Sequence, residues 1–229
     1  MRIDKPAAAL ACALAVSHAC GEAAHARQQG PQPGPAAAGQ TRPQGVNTAP
    51  FILLAERGRK LVEEGRLGAA TTLDMSAKAE LREDGTLDPV SVVVEWRTVS
   101  ADEGVNALAL QLVAAVSESR IPGALRGHAK AVRLDVRLGA QNFTFGVEAE
   151  LASEAEASKC ASGYDALLAV ARQAKRGTPD GALYEAMKVT SEGRAFGVTF
   201  EMPKAAAAKM VADALDRRAA GGAASPRQD

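Results

Sequence analysis

Few side chains of this 229-residue sequence have the types and spacing that catalysis needs. Beyond residue 26 there is one histidine, His128, and one cysteine, Cys160. A nucleophilic cysteine needs a nearby base or cation to form the thiolate, and His128 is the one histidine available. Two such residues also fall short of the ligands that zinc takes. We expect His128 in a solvated loop and Cys160 in the core, and we assign no catalytic, cofactor-binding or metal-ligating residue.

The carboxylates that lie close together in the sequence stand where local structure explains them. Glu154 and Glu156 begin a predicted helix, where negative charge complements the helix dipole. Asp84 and Asp88 flank a predicted turn, where aspartate accepts backbone hydrogen bonds. The sequence contains neither a Gly-rich phosphate loop of the P-loop type nor a Gly-x-Ser-x-Gly motif. These patterns indicate structural roles for the carboxylates.

The first 26 residues have the features of a signal peptide. Arg2 and Lys5 precede an apolar run over residues 6–16, and small residues follow it. This run is shorter than the ~20 apolar residues that a membrane-spanning helix needs. Because Ala24-His25-Ala26 fits the pattern that signal peptidase cleaves, we expect an exported chain that begins at Arg27, with no transmembrane segment after the leader.

A lipid-modified cysteine is the alternative ending of this leader. Ala19-Cys20-Gly21 has the small residues that flank the modified cysteine of a bacterial lipobox, although Ser17 stands where that motif commonly has leucine. Cleavage after residue 26 would give a periplasmic or extracellular protein. Modification at Cys20 would instead give a lipoprotein anchored to a membrane.

Charge and cysteine content limit the partners and the folding mode. The chain has 27 Lys and Arg residues against 27 Asp and Glu residues. A nucleic-acid partner is not expected, because phosphate neutralisation requires a basic excess. With one cysteine after residue 26, an internal disulfide cannot form, so the fold must be stabilised by its core.

Composition divides the rest of the chain into three parts. Residues 27–50 are rich in Gln, Gly, Pro and Ala, and we predict a disordered linker there. Residues 51–216 alternate apolar and polar positions with the periods of strands and helices, which indicates one α+β domain. Residues 217–229 are predicted to be a disordered tail.

The apolar pattern of the domain repeats three times. Two segments of period two are followed each time by a segment of helical period, and the predicted strands cover residues 72–81, 90–96, 131–138, 142–151, 187–190 and 195–202. We therefore predict three ββα units, an antiparallel sheet of about six strands, and helices packed mainly on one face. Whether the units form one sheet or two stays open.

The outer face of this sheet should be charged. Arg133, Asp135 and Arg137 point away from the predicted core, and Glu148 and Glu150 could lie opposite them on the next strand. Cross-strand ion pairs of this kind contribute only a few tenths of a kcal/mol. A partner is then expected to use an edge strand, or the loop around His128, rather than this face.

A short hairpin resembles one found in a known family. The turn "DGTL" at residues 84–87 and the strand "VSVVVEW" at residues 90–96 are similar to the hairpin of energy-transducer C-terminal domains of the TonB kind. Turn chemistry alone produces such a pattern. We do not assign the chain to that family.

These observations lead to one expected function and one alternative. We expect an exported protein of the bacterial cell envelope that acts without cofactors as a non-enzymatic protein-interaction module, with a protein partner. The alternative is a periplasmic hydrolase or small-ligand-binding protein whose carboxylates are brought together by the fold.

Overall fold

The computed structural model describes residues 47–125 and 127–222, and the α+β class is confirmed. The predicted signal peptide, Cys20 and most of the linker lie outside this range. The elements within it are α1 (Ala49–Glu63), β1 (Leu73–Glu80), β2 (Val93–Thr98), α2 (Glu103–Ser119), a short 3-10 helix (Ile121–Leu125), β3 (Ala129–Leu138), β4 (Asn142–Leu151), α3 (Glu154–Lys175), α4 (Pro179–Glu185), β5 (Met187–Glu192), β6 (Ala195–Pro203) and α5 (Lys204–Gly222).

The strands of the described residues form one six-stranded antiparallel sheet. Its order is β2-β1-β3-β4-β6-β5, so each predicted hairpin is also a pair of neighbours in the sheet. The β1–β3 and β4–β6 pairings join the three hairpins. Two helices lie outside the ββα pattern: α1 precedes the first hairpin, and α4 lies between α3 and β5.

One face of the sheet is apolar and forms the core with the helices. Alternating residues of β1 and β3, such as Met75 and Leu134, are buried there, as the period-two pattern predicts. Helix α2 packs against β1, while α3 and α5 pack against β4 and β6. Full burial of side chains of this size contributes roughly 1.5–3 kcal/mol each, which makes this layer the main source of stability.

Helix starts follow the capping residues that the sequence indicates. Asp102 accepts hydrogen bonds from the backbone N–H of Gly104 and of Val105 at 2.7 and 3.2 Å, and so caps α2. The Ser153 hydroxyl accepts from the Glu156 backbone N–H at 3.2 Å. Glu156 stands at the spacing of a capping box, but its Oε2 atom is buried and accepts no hydrogen bond from the described residues.

Two element boundaries differ from the sequence-based prediction. Strand β2 begins at Val93 rather than at Val90, which is 88% exposed. The reason is local: Pro89 has no N–H, and Asp88 accepts hydrogen bonds from the backbone N–H groups of Val90 and Ser91. Helix α5 ends at Gly222, beyond the predicted domain boundary at residue 216, so it includes the first residues of the predicted tail.

Candidate protein-interaction edge

Strand β2 lies at one end of the sheet, and its outer side has no strand partner in the described part of the chain. An edge strand presents a row of backbone N–H and C=O groups that can pair with another chain. Val93 on this strand is 60% exposed, and Val90 and Val99, which flank the strand, are 88% and 61% exposed. Extended backbone and exposed apolar side chains therefore occur together at this edge.

The apolar layer of the sheet is incomplete at β2. On β1, Met75 and Ala77 are almost completely buried. Their cross-strand neighbours on β2, Trp96 and Val94, point to the same face but are only half-buried. A further strand beside β2 would cover these two side chains, so apolar burial favours an added strand here.

On the polar face, Arg97 ties β2 to the neighbouring strands. Its Nη1 atom lies 2.8 Å from Asp74 Oδ1, and its Nη2 atom lies 3.6 Å from Asp135 Oδ1. The hydrogen bond to Asp74 is the main cause that raises the pKa of Arg97. The register of β2 against β1 shifts at this position, between Asp74 and Met75. Arg97 is thus held on the polar face beside the free edge.

Two more arginines extend this contact into the arginine–aspartate cluster, which consists of Asp74, Arg97, Arg133, Asp135 and Arg137. Arg133 Nη2 lies 3.2 Å from Asp135 Oδ1, and Arg137 Nε lies 3.9 Å from Asp74 Oδ2. All five side chains are at least partly exposed, so solvent screens their ion pairs. The cluster orients side chains across three strands rather than contributing much stability.

The Arg133 side chain pairs with residues of β1 and of its own strand rather than with Glu148. The two residues do lie opposite each other on β3 and β4, as expected. The Arg133 guanidinium instead donates to Ser76 Oγ at 2.9 Å and to Asp135, while Glu150 contacts Arg194 at 3.5 Å. The reason is that β1 lies beside β3, which brings acceptors that the hairpin pattern does not reveal.

At the opposite end of the sheet, helix α3 packs against the edge strand β5. From this helix, Arg172 donates to the backbone oxygen of Met187 at 2.6 Å and to that of Tyr184 at 3.0 Å. Met187 is the first residue of β5 and is buried. Strand β5 therefore packs against a helix as well as a strand, whereas β2 packs mainly against β1.

The residues that the sequence singled out for chemistry have structural positions. His128 is half-buried in the turn before β3, where its backbone N–H donates to the Leu125 oxygen at 3.0 Å. Cys160 is buried in α3, on the same side of the helix as Ala157 and Tyr164. The placement agrees with the expected loop and core positions. Cys20 lies outside the described residues.

The acidic pair at the first hairpin stabilises its turn, as expected. Asp84 accepts hydrogen bonds from the backbone N–H and the hydroxyl of Thr86 at 2.9 and 2.6 Å, and these bonds lower the pKa of Asp84. Asp88 Oδ1 lies 2.7 Å from Arg82 Nη2. Both carboxylates are thus used by neighbouring groups of the same hairpin.

A small cavity lies between α3, α4 and the last two strands. Its volume is about 10 Å³, which is room for about one water molecule. The lining residues are Tyr164, Leu168, Ala171, Tyr184, Met187, Val189 and Val198. In residues 47–125 and 127–222, the His, Cys, Asp and Glu side chains form no group of three or more that could hold a metal ion.

No helix in residues 47–125 and 127–222 is both long enough and apolar enough to cross a bilayer.

The sequence pattern does not single out the polar-face residues that surround the candidate edge. Asp74 and Ser76 are the polar positions of an ordinary alternating strand, and Arg97 follows the predicted end of β2. A usable signal was present in the valines: Val93 breaks the alternation of apolar and polar residues in "VSVVVEW". An apolar residue on the outward side of a strand is typical of a surface that contacts another chain.

Comparisons of the chain with protein-family models, with curated proteins and with solved structures found no match.

Proposed function

We propose that this chain is a non-enzymatic protein-interaction module of the cell envelope, and that it binds an extended segment of a partner protein as an additional strand beside β2. The observation that carries the proposal is the accessible β2 edge, where Val93 is 60% exposed next to unpaired strand backbone. In strand addition, main-chain hydrogen bonds supply affinity and alternating side chains supply specificity.

The chemistry of the edge defines the segment that fits. On the apolar face, the added strand would place every second side chain against Trp96 and Val94, so we expect apolar or aromatic residues at those positions. On the polar face, the intervening side chains would lie beside Val93, Glu95 and Arg97, so we expect polar or charged residues with an apolar one near Val93. The partner segment should therefore alternate with period two.

Export is part of the same proposal. It is supported by the basic start, the apolar run and the Ala24-His25-Ala26 site of the first 26 residues. The location is then periplasmic or extracellular, and lipid attachment at Cys20 is the alternative.

The rival function, a hydrolase or small-ligand-binding protein built on carboxylates from distant segments, has one observation in its favour. The fold places Asp74 and Asp135 on either side of the Arg97 guanidinium. However, both carboxylates already accept from arginines, whereas a general base needs a free oxygen directed at its substrate. The small apolar-lined cavity lies on the other face of the sheet. The geometry therefore favours the interaction module.

The test compares partner capture by the full chain and by two valine variants that are matched in exposure. Val93→Lys places a charge on the β2 edge, and Val170→Lys makes the same change on helix α3, at a valine that is 64% exposed. Crosslinking in the source envelope, followed by mass spectrometry, should recover a partner with the wild-type chain and with Val170→Lys. Recovery should fall about tenfold or more with Val93→Lys, because a charged edge side chain opposes strand addition.

The crosslinked positions themselves provide a second criterion. Contacts on the partner should fall in one extended segment, at every second residue. Equal recovery with both variants, or contacts confined to a helix of the partner, would contradict the proposal.

A further inference from the structure

We propose that the β2 edge also binds a second copy of this chain, with the two β2 strands antiparallel and Trp96 of one copy opposite Trp96 of the other. This inference rests on one part of the proposed function, strand addition at the β2 edge, and it assigns a second occupant to that edge. The pairing would join two six-stranded sheets into one continuous sheet across a two-fold axis. Such a contact is self-complementary, since each strand presents the same surface to the other.

The charges of β2 favour the register centred on Trp96 over its two neighbouring registers. When Trp96 faces Trp96 of the second copy, Glu95 of each strand faces Arg97 of the other. Residues directly opposite each other in an antiparallel pair share a face, so both ion pairs form on the polar side. Moving the centre of the pairing to either neighbouring residue would place Glu95 opposite Glu95, or Arg97 opposite Arg97. Like charges directly opposite each other are destabilising, so the register centred on Trp96 is favoured.

Arg97 and Glu95, which would form each ion pair, both lie on the polar face of β2 with exposed side chains. Arg97 is oriented by Asp74 and Asp135, yet its side chain is still 49% exposed and has further N–H donors. Glu95 is exposed on the same face, opposite Ser76 of β1. Because Arg97 is held in place before the second copy arrives, less side-chain entropy is lost when the pair forms.

The apolar face favours the same arrangement. Trp96 and Val94 are half-buried at the end of the apolar layer, and the proposed pairing puts the two tryptophans side by side on the two-fold axis. Cross-strand aromatic pairs contribute beyond the area that they bury. The chain has one tryptophan, so its fluorescence reports on this contact alone.

The experiment measures self-association of the full chain by sedimentation equilibrium and by the concentration dependence of tryptophan emission. We expect a reversible dimer, and a blue shift of the Trp96 emission as the dimer forms. In a dimer of Glu95→Arg chains, both of the cross-strand pairs that involve Arg97 would join two positive charges. The dissociation constant of the dimer should therefore rise about tenfold or more. The matched control Glu192→Arg makes the same change on the opposite edge strand, β5, and should leave the constant within about twofold of wild type.

A mixing experiment separates charge pairing from damage to the fold. Arg97→Glu should also weaken self-association. A mixture of Glu95→Arg chains with Arg97→Glu chains restores both opposite-charge pairs, so heterodimers should form at concentrations at which each variant alone is monomeric. Circular dichroism spectra of both variants should match that of the wild type. Heterodimer formation can be shown with a mass label on one of the two chains.

The outcomes also separate this inference from the proposed function. A wild-type chain that stays monomeric, equal weakening by Glu95→Arg and Glu192→Arg, or a mixture that fails to associate would each overturn the second-copy proposal. If the wild-type chain stays monomeric, but the Val93→Lys variant recovers less of the envelope partner than the wild type does, only the second-copy proposal is overturned. A dimer with the expected charge dependence, without a partner that is sensitive to Val93→Lys, would uphold it and overturn the function proposed above.

Discussion

Gly85 and Gly123 meet backbone to backbone, and this contact holds the first hairpin against the 3-10 helix after α2. A Cβ atom at Gly85 would lie 2.6 Å from the Cα atom of Gly123, closer than side chains approach in folded proteins. Gly85 also has a φ of +84°, in the left-handed region that favours glycine. The turn that precedes β2 is therefore positioned by two residues without side chains.

The first prediction concerns this contact. Gly85→Ala should lower the free energy of unfolding by about 1–3 kcal/mol, because it adds backbone strain and a collision with Gly123. Urea denaturation followed by circular dichroism measures the change. Gly65→Ala is the control: Gly65 has a φ of +71°, but no atom lies within 4 Å of an added Cβ. If the two variants lose equal stability, the close approach of Gly85 and Gly123 does not matter.

The second prediction is a pH dependence that arises at Asp102. Arg66 donates to both carboxylate oxygens of Asp102, at 2.8 and 2.9 Å, and thereby lowers the pKa of this carboxyl below its ordinary value of 3.8. The folded pKa is lower than the unfolded one. The ionised carboxylate therefore stabilises the native state above the unfolded value, and this contribution is lost as the pH falls through the folded pKa.

Urea midpoints measured from about pH 6 to about pH 2.5 should show this dependence. The midpoint of Asp102→Asn should already be lower near neutral pH, and it should fall less than that of the wild type on acidification. Asp216→Asn is the matched control, because Asp216 makes a single contact with Arg59 at 3.4 Å and is 73% exposed. An unchanged acid dependence in Asp102→Asn would refute the assignment.

The third prediction concerns Cys160, which we expect to act as a buried apolar residue. Its thiol should react with a thiol reagent slowly in the folded protein and rapidly in urea, because it is buried within α3. Cys160→Ser should cost about 1–2 kcal/mol of stability and leave partner capture unchanged. Ser158→Cys places a thiol on the exposed side of the same helix and should react at once. Equally rapid reaction of Cys160 would exclude the buried position.

The fourth prediction concerns the leader. The intact mass of the protein isolated from its native envelope should correspond to a chain that begins at Arg27. Cys20→Ala should leave that mass unchanged, because the cysteine is removed with the leader. A species that begins at Cys20 and carries two or three acyl chains would show lipid modification instead.

Much of the local structure could be predicted from the order of residues along the chain. The alternation in β3 and β4 identified the buried face correctly, because successive side chains of a strand point to opposite sides. Asp102 and Ser153 are of residue types that favour helix starts, since their side chains accept backbone hydrogen bonds within the first turn. These features depend on neighbours a few residues away.

The order of strands in the sheet could not be predicted in the same way. Every strand offers the same backbone donors and acceptors, so periodicity assigns the face of a side chain but not the neighbour of its strand. Only the fold shows that β1 lies beside β3. This places Asp74 of β1 between Arg137 of β3 and Arg97 of β2. For the same reason, the sequence placed Arg133 opposite Glu148 correctly but did not reveal that Arg133 donates to Ser76 of β1.

By itself, the sequence determined the α+β class, the buried faces of the strands and most helix starts, because short-range sterics, capping and apolar periodicity are local. The tertiary structure decided which strand remained at the open end of the sheet. That outcome depends on pairing between segments far apart in the chain, and on which helix packs against which strand. Helix α3 packs against β5, whereas β2 packs mainly against β1 and keeps Val93 and Arg97 exposed.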